Sequence, residues 1–310
     1  MNNLDLVNYI RHGMILKNLE EKHMFDAIIY ESFDNKKIEI PENIHIETLD
    51  TYSLHNVQAQ LTALYEYYDH ICIILDSLCL EDICWFLSTL HTDNEDKKVT
   101  IINLWTWASG LLHKWKAEIH DISISIEYGA QTFEPHDFVS MFSYLWQEHA
   151  AISYIRVPHK EFSGNLMPGV EIDSDAWITD LSTYELSGSD TTLLCHGWHI
   201  TSCIQAHEAL KHAGKSCDIF LAHTYTLPQE HDTLLASLQK TKQLIVVMDQ
   251  HEVSMYQYYI TTWLYNSWVT DIVRIQFITP DISTITTNQM PAIYEQANFG
   301  AEWIVSQILS

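Results

Sequence analysis

The chain is short of positive charge. Its 310 residues carry 16 Lys and Arg against 41 Asp and Glu, a formal net charge of −25. The arginines are Arg11, Arg156 and Arg274 alone. A nucleic-acid binder displaces counterions with clustered Lys and Arg, and no such cluster is present, so nucleic acid is excluded as a partner. An anionic membrane surface is excluded on the same ground. Long apolar runs are lacking too. None reaches the roughly 18 residues needed to span a bilayer, and the N-terminus lacks the basic-then-apolar order of a secretion signal. The expected location is the cytoplasm. The six cysteines (Cys72, Cys79, Cys84, Cys195, Cys203 and Cys217) include no C-x-x-C pair and sit mostly in apolar segments. They read as buried free thiols rather than disulfides. No G-x-S-x-G elbow occurs, so a nucleophilic Ser-His-Asp triad has no support.

What is present is a folded α/β pattern. Apolar residues make up 47% and charged residues 18% of the chain, and the length suits two ordinary domains. Strand-like apolar runs alternate with helical periodicity, which argues for mainly parallel sheets flanked by helices. In the first half, strands are expected at Phe25–Tyr30, His70–Leu75, Val99–Trp105, Ser123–Tyr128 and Ile152–Val157. Helices are expected at Leu54–Tyr67, Leu80–Leu90, Leu111–Glu118 and Pro135–Glu148. Residues 158–181 are richer in Gly, Pro and Asp and read as a linker. In the second half, strands are expected at Thr191–Cys195, Ser216–Leu221, Gln243–Met248 and Asp271–Phe277. The helices there are His199–Ala213, Gln229–Lys240 opened by Pro228, Ser254–Tyr265 and Ala301–Leu309.

Some polar residues invite a site. His199, Cys203 and His207 recur every four residues on one helix face, and two of them with Cys195 or His196 have the chemistry to bind zinc. Packing of that stripe on the sheet accounts for it better, and no metal is expected. His251 and Glu252 follow a strand end, where α/β sheets place ligands, but a solvated loop explains them.

The stretch Gly188-Ser189-Asp190-x-Thr192 followed by Leu193-Leu194-Cys195-His196-Gly197 resembles the start of the transketolase C-terminal domain. Ala209-Leu210, then Ala213 to Ile219, resemble that domain's helix end, glycine and second strand. Thr224 to Pro228 is similar to its T-L-x-P turn, and Leu235 to Val247 to its next helix and strand. In the first half, Ile46-Glu47-Thr48 resembles an I-D-T segment of the β subunits of thiamine-diphosphate-dependent 2-oxo acid dehydrogenases. Leu112-x-x-Trp115-x-Ala117-x-Ile119 resembles a helix of the same subunits. The resemblance implies an α/β fold of two domains: a pyrimidine-binding-like domain over 1–165, a linker over 166–181 and a transketolase C-terminal domain over 182–310.

It also implies thiamine diphosphate as cofactor and an alpha-type partner subunit carrying the diphosphate-binding domain, with self-association through the C-terminal domain. The cofactor's aminopyrimidine needs a buried carboxylate at its ring nitrogen. By alignment Tyr52 stands at that glutamate, and a phenol is a weak donor that is neutral near pH 7. Asp50 lies two residues away. Glu31 falls at a glutamate of the family's first strand segment. The family's loop histidine has no counterpart in Leu104-Trp105-Thr106-Trp107-Ala108-Ser109-Gly110, while His113 lies on the following helix. Two functions follow from this. The chain is a catalytically degenerate β-type subunit acting in assembly, or an active β subunit using Glu31, Asp50 or His113 to complete a site that decarboxylates a 2-oxo acid.

Overall fold

The computed structural model describes residues 27–31, 45–49, 54–75, 86–90, 97–103, 131–133, 151–157, 178–181, 184, 186–227, 231–248, 253–267, 274–279 and 300–310. The strands are β1 (Ala27–Glu31), β2 (His45–Leu49), β3 (His70–Leu75), β4 (Lys98–Asn103), β5 (Gln131–Phe133), β6 (Ile152–Arg156), β7 (Ile178–Asp180), β8 (Thr191–His196), β9 (Cys217–Ala222), β10 (Gln243–Val247) and β11 (Arg274–Ile278). The helices are α1 (Leu54–Tyr67), α2 (Ile200–His212), α3 (Asp232–Thr241), α4 (Ser254–Asn266) and α5 (Ala301–Leu309). Residues 86–89 are also helical. By packing, Met1–Trp105 with Glu148–Tyr154 forms one unit, and Thr106–Gln147 with Ile155–Ser310 forms another.

The first sheet has the order β2-β1-β3-β4-β6-β5. β1 runs parallel to β2 and β3, and β3 runs parallel to β4. Its central strands are near-continuous apolar runs, such as Ile71 to Ile74, all buried. A parallel strand covered on both faces reads this way. α1 leads into β3 through a turn held by Lys97. Its ammonium donates to the carbonyls of Tyr65, Glu66 and Tyr68 at the open end of the helix. Helix C-terminal carbonyls have no partners within the helix, and a cation there also suits the dipole.

The second sheet has the order β11-β10-β8-β9-β7. The four strands β8 to β11 are parallel, and β7 joins antiparallel to β9. Side chains alternate between its two faces. Leu194, Phe220 and Val246 pack with Leu234 and Leu238 of α3 and with Tyr256, Ile260 and Trp263 of α4. Leu193, Ile219 and Ile245 pack with Ile200, Cys203 and Leu210 of α2 and Ile304 of α5. The result is three layers with helices on both faces, as the alternation of strand and helix patterns predicts. α2 follows a single 3-10 turn, Gly197–His199, and ends at Gly214 with φ +74. The Lys215 N–H then closes back on the Leu210 carbonyl at 2.9 Å, and the Gly214 N–H bonds that of Lys211. A left-handed residue is required to close a helix in this way, hence the glycine. α3 begins at Asp232, capped by the His231 ring, whose Nδ1 accepts from the Leu234 N–H.

The boundaries expected for α1, β3 and α5 coincide with those observed. β2, β5 and β7 were not expected as strands. All three are edge strands, and β5 and β7 have three residues each. The expected strand over 123–128, the helices over 111–118 and 135–148, and residues 80–85 of another helix lie outside the described residues.

Candidate functional site

Parallel α/β sheets bind ligands at the carboxyl ends of their strands, above all where neighbouring strands send their connections in opposite directions. In the second sheet that point lies between β8 and β10: β8 leads to β9 on one side, and β10 leads to β11 on the other. β8 ends there at His196, which is fully buried. The His196 ring lies flat on Tyr225, with centroids 4.3 Å apart and planes 2° apart. Tyr256 of α4 meets it edge-on, and the Tyr256 hydroxyl and His196 Nε2 are 2.9 Å apart. No hydrogen-bond partner reaches His196 Nδ1 among the described residues. Arg156, at the end of β6, donates to the Tyr225 hydroxyl and its guanidinium sits 5.2 Å from the centre of that ring. His223, just after β9, lies 3.1 Å from Thr179 Oγ1 and stacks on Phe133. The Tyr225 N–H donates to the Thr132 carbonyl. All of these residues belong to the second packing unit.

This hub is closed. Arg156, His196, His199, His223 and Tyr225 are each at most 2% exposed. Burial, then the nearby Arg156, His199 and His223, hold the His196 pKa well below the ordinary histidine range, so its ring is neutral. A neutral imidazole, stacked on Tyr225 and met edge-on by Tyr256, organises the switch point without opening it to substrate.

The G-x-D motif lies at the opposite, amino end of the same strands. A Cβ on Gly188 would lie 2.2 Å from the Cys217 nitrogen, closer than atoms approach, so the position admits only glycine. The Gly188 N–H donates to Asp218 Oδ1 at 2.8 Å. Asp190 accepts from both the Ser216 N–H and its hydroxyl, at 2.9 and 2.8 Å. Asp218 also takes Lys240 Nζ at 2.6 Å and the Ser237 hydroxyl at 2.5 Å, both from α3. Burial raises the Asp218 pKa, but the bonds from Gly188, Lys240 and Ser237 outweigh it and hold the carboxyl below its ordinary value. The motif is a clamp that joins the β8 entrance to β9 and α3.

The stripe on α2 is core. His207 Nδ1 lies 3.3 Å from Cys217 Sγ, and Cys195 Sγ donates to the Phe220 carbonyl. Burial pushes the Cys217 thiol up to about 12 and raises that of Cys203. Among the described residues no group of three or more His, Cys, Asp or Glu side chains is arranged to hold a metal.

Of the four residues assigned by resemblance to the cofactor site, Glu31 is the last residue of β1, paired with Leu49 of β2. It therefore sits at the carboxyl end of a parallel sheet. Asp50, Tyr52 and His113 lie outside the described residues, as do His251 and Glu252. The buried hub as a whole was not anticipated: His196 and His199 stood out only as zinc candidates. Its one legible signal is that two neighbouring strands, β8 and β9, each run into a histidine.

No family model matches the sequence, and no curated protein matches it. Solved structures do. A split-gene transketolase, described as an inactive β4 tetramer, aligns over 96% of this chain and 95% of its own, at 14% identity and a TM-score of 0.66. Transketolase from Campylobacter jejuni aligns over 96% of this chain at 14% identity and a TM-score of 0.61. Transketolase of Pichia stipitis, in complex with sedoheptulose-7-phosphate, covers 91% at 10% identity and 0.56. This chain spans 45% and 42% of the last two. Together with the two mainly parallel sheets flanked by helices, these likenesses establish a transketolase-like α/β fold.

Proposed function

We propose that the chain is a β-type subunit of a split, transketolase-like assembly of the thiamine-diphosphate-dependent class, and that it serves in assembly without itself activating the cofactor. The observation that carries this reading is the end-to-end likeness to the split-gene transketolase chain, 96% of one on 95% of the other. The domain scheme is then a pyrimidine-binding-like domain over 1–165, a linker over 166–181 and a transketolase C-terminal domain over 182–310. The partner is an alpha-type chain carrying the diphosphate-binding domain, met in the cytoplasm. The 2-oxo acid dehydrogenase β subunits are the branch whose motifs the first half resembles.

Thiamine diphosphate, when bound, supplies a nucleophilic ylide. The donor set of this chain does not fit the cofactor's need. Tyr52 stands where a buried carboxylate is required, and a phenol is neutral near pH 7. Glu31 ends β1, so a carboxylate-bearing position remains at the carboxyl end of that strand. The test is co-expression with an alpha-type chain from the same genome, followed by calorimetric titration with thiamine diphosphate and a decarboxylation assay on pyruvate. The expected result is a stable complex without turnover, whose cofactor affinity is unchanged by Tyr52→Phe. Tight binding that depends on this chain, with decarboxylation lost in Glu31→Gln, would replace this reading with an active β subunit.

A further inference from the structure

α4 carries no charge. From Ser254 to Asn266 it reads SMYQYYITTWLYN, without Asp, Glu, Lys, Arg or His, in a chain of net charge −25. Its inner stripe is accounted for, since Tyr256, Ile260, Trp263 and Leu264 pack into the core. Its outer stripe is Gln257, Tyr258, Thr261, Thr262, Tyr265 and Asn266, all exposed. Tyr258 is 75% and Tyr265 74% exposed, two of the four exposed large hydrophobic side chains among the described residues. They are seven residues apart, about two turns, and so share one face. A surface helix facing only water carries charged or polar residues on its outer side, and here charge is missing while two large aromatic rings are exposed. Tyrosine enriched where charge is depleted is the composition of an interface core.

We infer that the outer face of α4 is the contact surface for a second copy of this chain, laid α4 against α4 across a two-fold axis. This rests on the assembly reading above and names the surface that performs it. Charge selects the occupant. A basic partner gains by meeting carboxylates and would dock on acidic surface, not on a helix that has none. A second copy is as acidic as the first and is repelled wherever charges meet. α4 offers about 20 Å of charge-free length, more than twice the screening length of about 8 Å at physiological salt. Two copies meeting along it keep their flanking carboxylates largely screened. A two-fold axis makes the patch self-complementary. Running the helices in opposite directions sets Tyr258 of one copy beside Tyr265 of the other, with the smaller Thr261 and Thr262 near the axis.

The experiment is sedimentation velocity of the full chain over a concentration series, in about 0.1 M and about 1 M salt, where the screening length falls from about 10 Å to about 3 Å. The variants are Tyr258→Glu with Tyr265→Glu, and Tyr258→Phe with Tyr265→Phe. The wild type is expected to self-associate, at least about ten-fold more tightly at high salt because screening removes the repulsion. The Glu pair is expected to weaken association by about 100-fold, and the Phe pair to keep it. Where circular dichroism shows the Glu pair misfolded, Thr262→Glu probes the same contact. A monomeric wild type, an association that loosens with salt, or a Glu variant that assembles like the wild type overturns the inference. In the last case self-association stands and only the surface is wrong. A wild type that is monomeric alone and also beside the alpha-type chain removes the assembly reading as well.

Discussion

At the residue scale, the two ends of β8 carry different loads. At its entrance, Gly188 is pressed against the Ser216–Cys217 backbone, 2.2 Å from where a Cβ would stand. Gly188→Ala should destabilise the protein by about 3 kcal/mol through overpacking against backbone that has no room to move, measured by urea denaturation. At its exit, His196 is buried and its folded pKa lies below the unfolded value. The unfolded state therefore binds more protons as pH falls below about 6.5, and stability drops from there towards the folded pKa, by up to about 1.4 kcal/mol per pH unit. Above about 6.5 the contribution is complete. His196→Gln should flatten that slope in urea titrations between about pH 5 and 7. The Asp218 carboxyl, held below its ordinary value, acts in a lower window, below about pH 4, where stability is lost as it protonates. One side of the clamp was visible in the sequence as a G-S-D motif because Gly188, Ser189 and Asp190 are adjacent, whereas its partners Ser216, Asp218, Ser237 and Lys240 lie 26 or more positions further on. The His196 hub was not, because Arg156, Thr179, His196, His223, Tyr225 and Tyr256 come from elements spread over a hundred positions of chain.

At the element scale, α1 shows how a helix is held at its open end by a residue that is not its own. Lys97 bonds the carbonyls of Tyr65, Glu66 and Tyr68 and lies 5.1 Å from the Tyr65 ring centre. Lys97→Met should cost about 1–2 kcal/mol. The loss should show first as faster amide exchange at Tyr67 and Tyr68, while the second sheet stays protected. The elements legible in advance were those with enough residues to display a period: α1 with 14 residues, β3 with 6, α5 with 9. The missed strands β2, β5 and β7 all stand at sheet edges, but so does β11, which was expected, so an edge position alone does not hide a strand. Three residues of β5 or β7 are too few to establish an alternation.

At the scale of the whole molecule, fold and chemistry separate. Two mainly parallel sheets flanked by helices follow from the alternation of apolar runs, and the likeness to the split-gene transketolase chain spans nearly the full length of this one. Chemistry depends on single side chains, and in the reading proposed above Tyr52 takes the place of a carboxylate. Packing tolerates such exchanges far better than a proton-transfer site does. The thiols distributed through these cores have a practical consequence. Cys72 lies in the first sheet and Cys195, Cys203 and Cys217 belong to the second, all free and buried. Their enclosed sulfurs do not meet a labelling reagent until the surrounding structure opens. Mass-resolved alkylation of these four is therefore expected to time two separate openings, with Lys97→Met accelerating Cys72 among them and Gly188→Ala accelerating Cys195, Cys203 and Cys217. The protein carries its own stopwatch in each half, and equal acceleration of all four thiols by either variant would mean that the halves open as one.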